Sequence, residues 1–225
     1  MLSVERVRDK NGERMRFGLI LFLLLISCGG CTAVIVPPVS GGREMVPVFV
    51  ADYGYHSTII FPKSDGGMME YAYGDWTYFG NNEKTIGNAL HALLGSDQAT
   101  IGRRWLDRDP RQPGLAEAIG AKVLVGFNAP REKVQEMEWA LDRRFSAHLD
   151  SIVFTPAHQL YFVKDDARYD AAHNCNHFTA SLVEGLGCKI EGIVLTSDFK
   201  LAENGEAPPR TINTTNANAP KYAAH

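Results

Sequence analysis

The sequence is short of most features that assign a function at sight. Its formal net charge is only −3, which excludes a chain-wide basic footprint for nucleic acid. The one arginine-rich stretch, "RRWLDRDPR" (103–111), mixes signs and reads as a solvated loop. No apolar run reaches the ~20 residues a membrane-spanning helix needs; the longest, Phe17–Ile26, has ten residues. Internal repeats are absent. Cysteine is scarce, with four in 225 residues: Cys28, Cys31, Cys175 and Cys188. No second Cys/His pair stands at a zinc-like separation, because His158 and Cys188 are isolated. No cofactor is expected. What is present is apolar content of 45%, enough for one domain with its own core.

The run Phe17–Ile26 has the length of a secretory signal's apolar region, roughly 7–15 residues. It follows Arg16 and ends in "LISC" (25–28), which resembles a bacterial lipobox. That resemblance implies that Cys28 becomes the acylated first residue of the mature chain. Gly29, where an Asp would retain the protein at the inner membrane, implies sorting to the outer membrane, facing the periplasm. The charged residues 1–14 fit poorly ahead of such a signal, so translation is expected to start at Met15. The competing expectation is an uncleaved N-terminal anchor. Both place the rest of the chain in the cell envelope.

Residues 29–45 ("GGCTAVIVPPVSGGREM") are small and Pro/Gly-rich, and are expected to form a flexible tether, with Cys31 incidental. A folded domain is expected over 46–202. "VPVFVA" (46–51), "YHSTIIF" (55–61) and "MMEYAYGDW" (68–76) read as three strands. A helical pattern follows through Ile86, Leu90, Leu93 and Leu94 to Gly95. "ATIGRRWL" (99–106) and "AKVLVGF" (121–127) are expected to be extended. Val134, Met137, Leu141 and Phe145 carry a helix that starts near Pro130. A short strand lies around "QLYFV" (159–163). From 203 to 225 the chain has little to bury and is expected to be disordered. Strands followed by helices predict an α+β fold with an antiparallel sheet.

The densest chemistry is "HNCNHF" (173–178). Asn174 is a good N-cap, and "CNHFTASLVEGL" then runs helically to Gly187. Cys175, Phe178, Leu182 and Leu186 share one stripe, so Cys175 faces the sheet from the helix's first turn. Unpaired N–H groups at a helix start favour a thiolate, which predicts a labelling pKa below the ~8.5 of a free thiol. A Cys175–Cys188 disulfide is disfavoured on length. A helix rises ~1.5 Å per residue, which puts the two about 18 Å apart, whereas a disulfide needs Cα atoms within ~7 Å. Metal ligation by His173, Cys175 and His177 is disfavoured because a helix points those side chains apart. A buried structural cysteine and a nucleophile both stay open. A nucleophile needs a base within reach. Of the seven histidines, His56 is the candidate, because it opens a strand whose face it shares with Thr58 and Ile60. A strand histidine is nevertheless more often structural.

"YHSTIIFP", "EYAYGDWTYF" and "NCNHFTASLVEGLG" together resemble a family of bacterial lipoproteins. That family belongs to the circularly permuted papain-like, NlpC-type superfamily, which includes lecithin retinol acyltransferase and the permuted desumoylating peptidases. The resemblance implies Cys175 as nucleophile and His56 as general base. It implies Glu70 as the group orienting the imidazole, with Asp75 its rival, and the Cys175 N–H as an oxyanion donor. Asn174 and His177 would support the site, and Tyr73, Trp76 and Tyr78 would line a cleft. The polar C-terminal tail departs from the acyltransferases, which end in a hydrophobic anchor. Glu in place of their second histidine points towards peptidases and amidases. The implied activity is a thiol hydrolase or transferase working through an acyl-enzyme. Peptides, peptidoglycan and lipid acyl groups are reachable substrates. The alternative is a catalytically silent lipoprotein that binds a peptide or lipid in the same cleft.

Overall fold

A computed structural model describes residues 32–63, 67–80, 98–107, 114–203 and 212–213. The N-terminal signal with Cys28, Cys31, and the helical pattern from Ile86 to Gly95 lie outside them.

The fold is α+β and mostly sheet. Strand β1 is Ala33–Val36, β2 Met45–Asp52, β3 Ser57–Pro62, β4 Met68–Asp75 and β5 Ala99–Leu106. Helix α1 (Leu115–Ile119), strand β6 (Val123–Pro130) and helix α2 (Arg131–Ser146) follow. Then come β7 (Val153–Thr155), β8 (Leu160–Asp165), helix α3 (Cys175–Gly185), β9 (Lys189–Glu191), β10 (Phe199–Leu201) and β11 (Ile212–Asn213). The main sheet has the order β11-β6-β2-β3-β4-β5-β8-β7, and every pairing in it is antiparallel. Pairing of β2 with β3 runs from Asp52↔Ser57 to Phe49↔Ile60. It stops short of Pro47 and Pro62, which have no N–H to give a ladder.

Alternation along these strands builds two cores. On one face Val48, Val50, Ile59, Phe61, Tyr71 and Phe127 meet the buried side chains of α2 and α3. On the other, Phe49, Ile60, Met68 and Leu124 pack with Leu115 and Ala116 of α1. Phe61 and Phe127 are fully buried, and each contributes roughly 1.5–3 kcal/mol. Helix α2 buries Val134, Leu141 and Phe145 at the expected spacing and ends with Arg143 and Arg144, which suits the helix dipole.

Three expectations are corrected. Part of the stretch read as a tether is strand β1, which pairs with β10 in parallel and β9 in antiparallel. Ala33 and Ile35 are buried there, because "AVIV" has a core partner in the late segment 189–201 that no local pattern reveals. Arg104 belongs to no solvated loop; it sits on β5 and is buried. Within the tail, Ile212 and Asn213 pair with Leu124 and Val123 at the sheet edge.

Candidate functional site

His56 does not open β3 but closes the turn before it. The Asp52 carboxylate accepts the Gly54 N–H at 2.6 Å, and Tyr53 N–H donates to the His56 carbonyl at 2.9 Å. Gly54 has φ of 100°, which a side chain would resist. At the C-terminal end of β4, the Asp75 Oδ1 accepts the Tyr78 N–H at 2.7 Å. That bond starts a single π-helical turn, Trp76–Gly80. A Cβ on Gly74 would collide with Phe79, so glycine there lets the Phe79 ring lie back against β4. Asn174 caps α3 as expected, accepting N–H bonds from Asn176 at 3.0 Å and His177 at 3.1 Å.

Helix α3 is fastened to the β2–β3 hairpin by hydroxyls. Ser57 Oγ bonds to Asn176 Oδ1 at 2.9 Å and to Thr179 Oγ1 at 3.1 Å. Cys175 therefore ends up against the hairpin turn, its Sγ 3.9 Å from the Tyr55 carbonyl and 3.7 Å from Asn176 Oδ1. Its N–H donates to the Tyr169 hydroxyl at 3.4 Å. The oxyanion donor expected from the sequence is thus engaged by a phenol.

These elements enclose a cleft of about 880 Å³. Cys175, His56, Asp75 and Asn174 line it, together with His158 and Tyr169. Tyr53, Tyr55, Tyr78, Phe79 and Phe162 add aromatic rings to its walls. The His56 and His158 rings flank Phe79, with centroids 4.9 and 5.1 Å from it. His56 Nδ1 is buried with no hydrogen-bond partner. Burial pushes the His56 imidazole down to about 3, and His158 adds to the shift. Among the described residues no hydrogen bond joins His56 to Cys175.

The thiol departs from expectation. Burial pushes the Cys175 pKa up. The Tyr169 hydroxyl and the N–H groups of Ser57, Asn176 and Cys175 itself pull it the other way and lose. The field of a helix start is present, but a side chain only 5% exposed loses more solvation than those donors return. At rest the site holds a neutral thiol and a neutral imidazole. Burial, then the neighbouring Cys175, also raises the Tyr169 phenol well above its ordinary range. Cys188 is a free, buried thiol like Cys175, and burial pushes it up to about 12.

Glu70 does not orient His56. It is fully buried behind the cleft wall, directly opposite Arg104 in the β4–β5 register. Its Oε1 accepts Tyr53 OH at 2.5 Å and Thr58 Oγ1 at 2.7 Å. Its Oε2 accepts Arg104 Nε at 2.7 Å and Nη2 at 2.6 Å. That carboxylate has no capacity left for an imidazole. Asp75 is only 1% exposed, and its Oδ2 has no hydrogen-bond partner. It lines the cleft but makes no hydrogen bond to His56, whose Nδ1 is likewise unpartnered. His177 is outside the cleft lining, and Nδ1 of its ring is also unpartnered. His173 is exposed beside Asp170. Of the expected aromatics Tyr78 lines the cleft, while Tyr73 stacks on Phe178 in the core with centroids 4.5 Å apart. Tyr53, Arg104, His158 and Tyr169 are cleft residues that sequence reasoning missed. No periodicity marks them, because they come from two turns, one strand and the loop before α3. Among the described residues no group of three His, Cys, Asp or Glu stands close enough to hold a metal ion.

Compared with known proteins, the chain matches no family model, no curated protein and no solved structure.

Proposed function

We propose that this protein is a lipid-anchored thiol hydrolase or transferase of the cell envelope, with a permuted papain-like arrangement and Cys175 as nucleophile. The observation that carries the reading is Cys175 at the first position of α3, lining a large, partly aromatic cleft that His56 also lines. The order hairpin, sheet, then nucleophile helix supports the permuted arrangement. In the reaction, Sγ attacks a carbonyl carbon while the thiol proton passes to the neutral His56 imidazole. The carbon–nitrogen or carbon–oxygen bond then breaks, and the leaving group takes that proton. Water or an acceptor nucleophile next cleaves the thioester and restores the thiol. Because His56 is not bonded to Cys175 at rest, its ring turns towards Sγ when substrate enters; such catalytic bonds commonly tighten only in the complex. The membrane tether is a lipid on Cys28.

The test is acyl capture. The full-length protein is incubated with 4-nitrophenyl acetate, and adducts are mapped by mass spectrometry. Acylation of Cys175 is expected to exceed that of Cys188 and of the urea-unfolded chain. His56→Ala is expected to slow it about a hundredfold, as loss of a general base does. Acylation of Cys175 no faster than in the unfolded chain would overturn the proposal. That result would favour the second reading, a silent lipoprotein that binds a peptide or lipid in the cleft. The neutral thiol and the missing Cys175–His56 bond speak for that alternative. Metabolic labelling with palmitate, lost in Cys28→Ser, tests the anchor separately.

A further inference from the structure

From the walls of the same cleft we infer that it recognises a ligand through an ammonium group held by Asp75. Two independent observations meet here. The first is a carboxylate only 1% exposed whose Oδ2 has no hydrogen-bond partner, although the residue lines an open cleft. Buried polar atoms in folded proteins almost always have partners, and the residue that carries this unpartnered oxygen is part of the cleft wall. The other oxygen is fixed by the Tyr78 N–H at 2.7 Å, so the carboxylate cannot turn its free oxygen to another partner without opening the π-helical turn. The second observation is the wall itself. Tyr78, Phe79 and Tyr169 lie on the same cleft, and aromatic faces attract cations. The arginine that lines the cleft, Arg104, is already paired with Glu70 behind the wall, which leaves the Asp75 carboxylate to meet a charge brought by the ligand. The ligand class is therefore a primary amine carried on an apolar body.

This inference concerns binding and holds whether or not Cys175 reacts. The experiment titrates full-length, ¹⁵N-labelled protein with three probes that share one ring: 2-phenylethylamine, 2-phenylethanol and phenylacetate. The Tyr78 amide is the reporter, because it donates to the same carboxylate. The amine is expected to bind about tenfold or more tighter than the alcohol, the worth of one charge-assisted hydrogen bond. Phenylacetate is expected to bind weakest. Asp75→Asn keeps an acceptor for the Tyr78 N–H and is expected to reduce amine affinity to that of the alcohol. Amine and alcohol affinities within about twofold of each other, or an Asp75→Asn variant that binds the amine as the wild type does, overturn the inference. If Asp75→Asn fails to fold, the order of the three probes on the wild type decides alone. Acyl capture on Cys175 is read in a separate assay, so either conclusion can fall while the other stands.

Discussion

Replacing Arg104 by Met separates a structural role for Glu70 from the catalytic role that the family resemblance implies. In the wild type, Glu70 Oε2 takes both of its bonds from the Arg104 guanidinium, while Oε1 is served by Tyr53 and Thr58. Met fills a similar volume but leaves Oε2 fully buried without a donor. Removing one partner of a buried pair costs about 3–5 kcal/mol. For a chain of this size that lowers Tm by roughly 6–20 °C. The Glu70→Gln/Arg104→Met double variant carries no stranded charge. It should recover about 1–3 kcal/mol relative to the sum of the single changes. Urea denaturation of the wild type, both single variants and the double variant, followed by far-UV circular dichroism and tryptophan fluorescence, gives the four free energies and tests two-state behaviour. An Arg104→Met cost below about 1 kcal/mol, or strict additivity in the double variant, would refute the buried-pair argument. If Glu70 instead oriented the base, Glu70→Gln would abolish acyl capture on Cys175 with stability intact.

Further outcomes follow from the same geometry. Iodoacetamide should alkylate Cys175 of the native protein with a pH midpoint above that of the unfolded chain's thiols, and Cys188 with a midpoint near 12; a Cys175 midpoint below about 8.5 would show that the helix start outweighs burial. The His56 ring should remain neutral down to about pH 3 when its Cε1 proton is followed by NMR. Its folded pKa is depressed, so the unfolded chain binds the extra proton. The neutral imidazole's contribution to stability is therefore complete above pH ~6.5 and declines as the pH falls from there towards 3; a His56 titration near 6.5 contradicts this. Asn174→Ala should cost about 1 kcal/mol by freeing the N–H groups of Asn176 and His177. The check is a urea titration beside Asn174→Asp, which keeps the acceptor and should hold stability near the wild type.

Much of the fold was legible because the sheet is built by local alternation. "VPVFVA", "STIIF" and "AKVLVGF" announce β2, β3 and β6, and Asn174 with Gly187 brackets α3. Strand β1 was hidden by its neighbours. Pro37, Pro38, Gly41 and Gly42 read as linker, whereas Ile35 is buried against segments more than 150 residues later in the chain. Arg104 was misread for a related reason. Two arginines, an aspartate and a tryptophan in a row look solvated, yet the register sets Arg104 opposite Glu70, and only the pairing of two strands could reveal that. Within the site, Cys175 and His56 carry local signatures, a capped helix start and a residue leading into a strand. Tyr169 and His158 carry none; they are cleft residues only because the loop before α3 and the β7–β8 turn are folded over the end of the sheet.

The thiol's sign was the most consequential misreading, and it shows which terms a sequence can carry. A helix start and its N–H groups are local, so their pull towards a thiolate can be read from "NCNHF". Desolvation is tertiary: it depends on the hairpin turn of β2 and β3, fastened to α3 through Ser57, Asn176 and Thr179. The same fastening that brings Cys175 to the cleft also buries it beside the Tyr55 carbonyl. Loosening it therefore separates position from burial. In Ser57→Ala, α3 loses the hydroxyl that holds Asn176 and Thr179, and the Cys175 thiol should gain solvent. Its alkylation midpoint should then fall towards that of a free thiol, while the helix and its Asn174 cap persist by circular dichroism. A midpoint unchanged from the wild type would mean that the Ser57 fastening is not what buries Cys175, and that its other neighbours keep water from Sγ.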